Sequence, residues 1–460
     1  VIHLDLLSFL TRRPLTMFTT SFFHKQALGF GALRFVGFAL ASLAMIGKVQ
    51  AENWPQWRGP FGTGLSPEQR ISIVWHEDRG LYWKAALPEW GTSTPAIWDD
   101  SIFVTSHTGD NQLVLLKLNK QDGKIVWQQD VGTGEAVREA PKRQTQKFHQ
   151  IHNLASPSPV TDGKTVVVHF GNGDLAAYDF AGKQLWKRNL QEEFGGYTIW
   201  WGHANSPVIY KDLVISVCMQ DSLADLQKQP VQSYLVAHDL LTGKQQWKMP
   251  RMTKADSEQS DSYTTPLLTT LQGKQQLIVM GGNQLDGYDP ASGKQLWFLP
   301  GLVGGRTVTG PTVAGDTIFT TRGMRGPIIA VRPRNQGEND FKSIEWDYKE
   351  GTPDTCSPVI WNELLFAISD DGIARCLHAP SGNLRWKERL KGKYKASPIA
   401  VDGRVFFLNT EGLCTVVSAQ PRFDKLVENQ LNDETIASPA VSDGRIYIRG
   451  KKNLYCIGKK

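Results

Sequence analysis

The chain has 460 residues, of which 40% are hydrophobic and 21% charged, a balance that excludes a disordered polymer. Its formal charge is +6, but residues 1–51 hold five basic side chains and one acidic one, leaving 46 basic against 44 acidic groups beyond them. No basic stripe therefore marks a general nucleic-acid binder, and five cysteines without a C-x-x-C pair exclude a zinc ribbon or a disulfide-built fold. The 43 glycines, 24 prolines and 15 tryptophans point instead to a turn-dense chain with many large buried rings.

Residues 35–46 read FVGFALASLAMI, preceded by His24, Lys25 and Arg34 and followed by Val49, Gln50 and Ala51. This is the order of a secretory signal, and the apolar run is shorter than the ~20 residues of a membrane span. Met17 is the natural start, and cleavage is expected after Ala51, with an uncleaved anchor as the alternative. The mature chain is then expected to be periplasmic or otherwise extracytoplasmic, monomeric, and without a transmembrane span.

Beyond that point one unit recurs. Residues 158–186 read SPVTDGKTVVVHFGNGDLAAYDFAGKQLW, and residues 357–386 read SPVIWNELLFAISDDGIARCLHAPSGNLRW. Each unit is a Pro-led strand, a turn, a second strand, a Gly turn, a third strand, a tight turn and a strand carrying Trp. The leading prolines are Pro95, Pro159, Pro207, Pro266, Pro311, Pro358, Pro398 and Pro439, which makes eight units. One third-strand position is small: Ala177, Ala237, Gly287, Ala330, Cys376 and Cys456 occupy it, with Lys117 and Val416 as exceptions. A small residue there is expected to let neighbouring sheets approach. The fourth-strand tryptophans are Trp127, Trp186, Trp247, Trp297, Trp346 and Trp386. Unit seven lacks its Trp, so its outer seam is expected to be the weaker one.

Unit eight ends without a fourth strand, while Gly80–Lys84, carrying Trp83, stands spare before unit one. The reading is an all-β, eight-bladed β-propeller of four-stranded antiparallel sheets over residues 52–460. Its ring is closed by the N-terminal strand, expected to pair in the region of Ile446–Ile448.

The repeated S-P-V-x-D-G and A-x-D-x-x-T-G-K-x-x-W patterns, carried by Ser158–Gly163, Ala237–Trp247 and Gly287–Trp297, resemble the quinoprotein-dehydrogenase-like (PQQ-like) propeller superfamily. The opening Trp54-Pro55-Gln56-Trp57-Arg58-Gly59-Pro60, with Gly64 and Ser66, looks like exported PQQ-like proteins common in planctomycete-type bacteria, mostly of unassigned function. The resemblance implies two branches. One is an exported, non-catalytic scaffold that binds a cell-envelope protein or a small polar ligand, and this is the expected function. The alternative is a PQQ-dependent oxidoreductase. Enzymes of that branch carry adjacent cysteines over the quinone, a Trp floor, a calcium ion held by Glu and Asn, and a catalytic Asp. Here Cys218, Cys356, Cys376, Cys414 and Cys456 are nowhere adjacent, so no cofactor is expected, with PQQ reserved for the alternative.

Residues just before each innermost strand should ring one mouth of the channel. The candidate ligand-binding residues are His152, Asn153, Trp201, His203 and Asn205, with Arg306 from near the opposite side of the ring. Trp201 offers a flat face and the His and Asn side chains offer directed hydrogen bonds. The rival reading is that Trp201 packs between blades and the Asn groups cap loop backbone. His149-x-x-His152 with His203 has the residue type of a metal site, but the plainer reading is three ordinary histidines, and no metal is expected. The insertion from Gly132 to Ile151, with Arg138, Lys142, Arg143 and Lys147, reads either as a solvated loop or as a lid.

Overall fold

The computed structural model describes residues 53–76, 79–138, 147–220 and 232–458. The expected export signal lies outside the described residues, as do Lys142 and Arg143 of the insertion.

Every proline-led unit becomes one blade. Blade 2, for example, consists of Val160–Thr161, Thr165–His169, Asp174–Asp179 and Gln184–Asn189, antiparallel throughout. There are eight such sheets, each with four antiparallel strands, and blades 4 and 7 add a short parallel strand at one edge. In blade 8 the outer strand is Leu81–Ala86, brought from the N-terminal side. It pairs directly with Asn453–Ile457, placing Trp83 opposite Cys456, and that strand in turn pairs with Arg445–Arg449. The ring thus closes as expected, although the direct partner is the third strand of the blade rather than Ile446–Ile448.

Two sets of contacts join the blades. The inner set follows from the Ser/Thr-Pro step. Proline holds the residue before it extended and itself carries no N–H. The amide of that preceding residue points sideways, and the hydroxyl of the same residue in the next blade accepts it. Thr94 N–H donates to Ser158 Oγ at 2.9 Å, Ser158 to Ser206 at 2.9 Å, and Ser206 to Thr265 at 3.1 Å. Gly310 donates to Ser357 at 2.8 Å, Ser357 to Ser397 at 3.0 Å, and Ser397 to Ser438 at 3.0 Å. Thr94 Oγ1 closes the belt by donating to the carbonyl of Ser438 at 3.2 Å. The step from Thr265 reaches Gly310, which has no hydroxyl to offer.

The outer set is made by the tryptophans. Each lies directly across the strand pair from the small residue: Trp186 from Ala177, Trp247 from Ala237, Trp297 from Gly287, Trp346 from Ala330, Trp386 from Cys376. The small position therefore makes room for the indole of its own blade, not for the neighbouring sheet. At Gly287 a methyl group would fall 2.2 Å from the Trp297 ring nitrogen. The indole then reaches into the next blade. Trp83, Trp127, Trp186 and Trp346 donate Nε1–H to the carbonyls of Lys120, Phe180, Leu240 and Ala379 at 2.8–3.1 Å. The turn glycines Gly123, Gly182, Gly243 and Gly382 lie flat on those same rings at positive φ, a conformation that costs glycine little.

The exceptions compensate one another. Blade 8 is completed by both ends of the described chain, so it has no turn glycine at its outer corner, and blade 7 has Val427 where the Trp would stand. Trp75, fully buried, fills this seam: it stacks on Phe406 at 6.4 Å, and its backbone N–H donates to Asn429 Oδ1 at 2.9 Å. The seam expected to be weak is thus filled from outside the repeat.

The stretch from Trp54 to Glu68 runs past all eight blades. Trp54 bridges to Ile97, Pro55 accepts from Thr161, and Gln56 and Trp57 line a small cavity together with Pro207 and Val208. Gly62 abuts Leu267, Trp57 abuts Gly310, and Arg58 donates to the Pro358 carbonyl. Leu65–Ser66 pairs parallel with Ala400–Val401, and Glu68 accepts from Asp443 and Gly444. The W-P-Q-W-R-G motif is therefore a plug across one end of the channel. Burial pushes the Arg58 guanidinium down to about 9.

If the hydroxyl belt carries the inner ring, Ser397→Ala leaves the Ser357 N–H without its partner in a buried position. The expected cost is about 1–3 kcal/mol, read from chemical denaturation. An unchanged midpoint would show the belt to be incidental.

Candidate functional site

Above the plug the channel opens into a cavity of about 420 Å³. Its floor is Trp57. Its lower wall is the belt: Thr94, Ser158, Ser206, Thr265, Ser397 and Ser438. The hydroxyl oxygens of Ser158, Ser206, Thr265, Ser397 and Ser438 already accept an amide N–H. Each therefore still has its own proton available to a ligand in the cavity. The upper wall holds His149, His152, Trp201, Tyr263, Arg306 and Lys395. No Asp, Glu or Asn is among the described residues that line it, so the wall is dominated by donors, with two cations at its rim.

The carboxylates stand one layer back. Arg306 Nη2 pairs with Asp354 Oδ2 at 2.9 Å, and Lys395 Nζ with Asp370 Oδ2 at 2.6 Å. Asp370 also accepts the N–H groups of Asp354 and Thr355 at 3.0 Å each. Burial raises the Asp354 carboxyl above its ordinary value against the pull of Arg306. His149 is held below its ordinary value first by burial and then by Lys395, Arg306 and Arg138, which shows how the cations converge at this rim.

Of the six predicted ligand-binding residues, the structure brings His152, Trp201 and Arg306 to the cavity wall. His152 Nδ1 bonds Ser156 Oγ at 3.1 Å, and burial pushes its pKa down to about 4. Lys147 lies over the Trp201 ring at 4.6 Å and covers one of its faces. Arg306 stands on the same side as Trp201, not across the ring, because both reach Glu258 Oε1, at 3.3 and 3.4 Å.

Asn153, His203 and Asn205 lie behind the wall. Asn153 donates to the Trp90 carbonyl at 2.9 Å and accepts from Ala155, and Asn205 donates to the Thr264 carbonyl at 2.6 Å. Both cap loop backbone. His203 is fully buried, stacked on Tyr197 at 5.0 Å and bonded through Nε2 to His169 Nδ1 at 3.2 Å. His149 instead meets Trp201 edge-on, and among the described residues the three histidines form no cluster that could hold a metal ion. Arg138 donates to the carbonyls of Phe148, His149 and His152, tying the end of the insertion into the wall. Sequence reasoning missed Trp57 and the belt hydroxyls, whereas Lys395, just before the innermost strand of blade 7, falls in the expected ring around the channel mouth. The Ser/Thr before seven of the eight prolines was a signal that pointed to those hydroxyls.

The family described as outer membrane protein assembly factor BamB matches residues 66–226 and 231–331, more than half of the chain. The chain belongs to this family of PQQ-like propellers. Among solved structures, BamB from Moraxella catarrhalis is similar at a TM-score of 0.56 and 12% identity, over 84% of this chain and 99% of that one. Quinohemoprotein alcohol dehydrogenase from Comamonas testosteroni is similar at 0.63 and 15%, over 89% and 81%. A europium-containing methanol dehydrogenase is similar at 0.60 and 12%, over 87% and 90%. At these identities the likeness is one of fold. No curated protein sequence matches the chain.

The donor set does not fit a metal-bridged quinone. Among the described residues the cavity wall presents neither Glu nor Asn to a cation, and its two cations are already tied to carboxylates behind them. The five cysteines are buried and free, and burial raises the thiol of Cys356, which lies behind Thr355 instead of facing the channel.

Burial holds His152 and His238 at about 4 and His203 at about 3. Below pH ~6.5 the unfolded chain takes up protons that these folded-state rings refuse. Their contribution to stability is complete above that pH and is lost as pH falls toward 4 and then 3. His238 has both ring nitrogens buried without a partner among the described residues. Thermal melts of His238→Phe should therefore lose less between pH 6.5 and 4.5 than those of the parent protein. Parallel curves would refute this assignment.

Proposed function

We propose that this chain is an extracytoplasmic binding propeller without catalytic chemistry of its own, which takes an acceptor-rich ligand, or an acidic side chain of an envelope partner, into its plugged channel. The observation that carries the reading is the polarity of the cavity. Belt hydroxyls line the lower wall, each with its own proton free to donate, two cations stand at the rim, and no carboxylate lines the wall among the described residues. The polar groups around it are engaged in holding the ring together, and the buried thiols are pushed up and away from the thiolate form. Placement outside the cytoplasm is supported by the signal-like N-terminal sequence. The matching family's description as an outer membrane protein assembly factor supports an envelope partner. No helix among the described residues is long and apolar enough to cross a membrane.

The test is a binding screen by saturation-transfer NMR with small phosphate esters, carboxylates and amines, on the parent protein and Lys395→Met. Acceptor-bearing probes should bind the parent and weaken about tenfold in the variant, as expected for loss of one charge-assisted hydrogen bond. Amines should not bind. Preference for amines would contradict the reading, as would binding of PQQ with calcium accompanied by dye reduction.

A further inference from the structure

Arg306 is gripped on two sides, and the two grips differ. On one side Asp354 is buried and close, at 2.9 Å, with its own backbone N–H fixed on Asp370. On the other side Glu258 is half exposed and its contact is long, at 3.3 Å. The Glu258 Oε1 atom that meets Arg306 also receives Nε1–H of Trp201, at 3.4 Å. Arg306 precedes blade 5 and Trp201 precedes blade 3, so two donors from separate blade connections converge on one carboxylate oxygen. Both belong to residues that line the cavity, whereas Glu258 does not line it. Glu258 sits on a single 3-10 turn, Ser257–Gln259, entered through Ser257 at φ 49°, a left-handed conformation uncommon for serine.

We infer that Glu258 is a built-in stand-in for the acidic group of the ligand, and that the channel takes a carboxylate-bearing molecule whose carboxylate displaces Glu258 from between Trp201 Nε1 and Arg306. The inference rests on the channel-binding reading above and gives its ligand a chemical class. The exchange is charge-neutral for Arg306: one carboxylate leaves as another arrives, so the guanidinium is never left facing the cavity without a counter-ion. Asp354 remains in place throughout and keeps the guanidinium oriented. A neutral ligand would have to break the Arg306–Glu258 pair without replacing it, so the same geometry discriminates against amides and alcohols. Displacement also carries a cost. While Glu258 occupies the position, only the open fraction of molecules binds, and the apparent affinity is reduced by that fraction.

The experiment is calorimetric titration of benzoate and of benzamide into the parent protein, Glu258→Gln and Glu258→Ala at low salt, with Lys395→Met as a site control. Benzoate should bind Glu258→Gln about tenfold more tightly than the parent, with Glu258→Ala similar, because the competing carboxylate is gone. Benzamide should not gain. Equal or weaker benzoate binding by both Glu258 variants, with Lys395→Met still impaired, would overturn the stand-in role and leave the channel reading intact. Absence of benzoate binding to the parent and to both Glu258 variants would overturn the channel reading together with this inference. A fall in melting temperature in Glu258→Gln together with weaker binding would make Glu258 a structural residue and equally overturn the stand-in role.

Discussion

The structure depends on where the amide ahead of each leading proline finds its acceptor. Proline removes one donor from the inner strand and holds the preceding residue extended, so that residue's N–H cannot be used within its own sheet in the ordinary way. The hydroxyl of the equivalent residue one blade further accepts it. Six such bonds, and a seventh from Thr94 Oγ1, run around the channel. The same bonds decide the chemistry of the cavity. A hydroxyl that has accepted an amide has a proton left to give, so the belt offers donors to an acceptor in the channel. Stability of the ring and polarity of the channel are two consequences of one contact.

The departures from eightfold regularity have a shared origin in the chain's two ends. The ring closes on a strand from the N-terminal side, so one outer corner lacks the glycine turn on which a blade-7 tryptophan would rest. Val427 stands there and Trp75 fills the space from outside. The plug that precedes it brings Trp57 under the belt at blade 5, where a methyl group on Gly310 would meet the indole at 3.1 Å. Glycine therefore replaces the hydroxyl at that step, and the belt is interrupted where the floor of the cavity enters. A through-channel becomes a closed-ended pocket because a segment outside the repeat is threaded beneath it.

Much of this was legible in the sequence because repetition multiplies weak signals. One Ser/Thr-Pro step or one Trp says little, but the recurrence of the step in seven of eight proline-led units and of the Trp in six, each at a fixed place, specified the blades, and the spare Trp83 identified the closing strand. The physical role of the small third-strand position was misassigned. Spacing shows that Ala177 and Trp186 recur together, but not that the indole lies across its own strand pair. The site was legible in part. His152, Trp201 and Arg306 precede inner strands and do reach the wall. Asn153, His203 and Asn205 have the same sequence position but turn inward, because loop carbonyls and His169 claim them. Which polar side chain faces the cavity is decided by packing between blades, and no periodicity in one chain records it. Trp57 lay in a motif that looked like a family signature, and nothing in its sequence showed that the motif crosses the end of the channel.

The central claim is that the belt is a continuous structural element interrupted at one known step. Native-state hydrogen exchange of its amides tests this most directly. The amides of Thr94, Ser158, Ser206, Gly310, Ser357 and Ser397 should exchange only through global opening, while that of Thr265, which faces Gly310, should exchange faster. Rapid exchange across the whole set, or a Thr265 amide as protected as the others, would contradict the account.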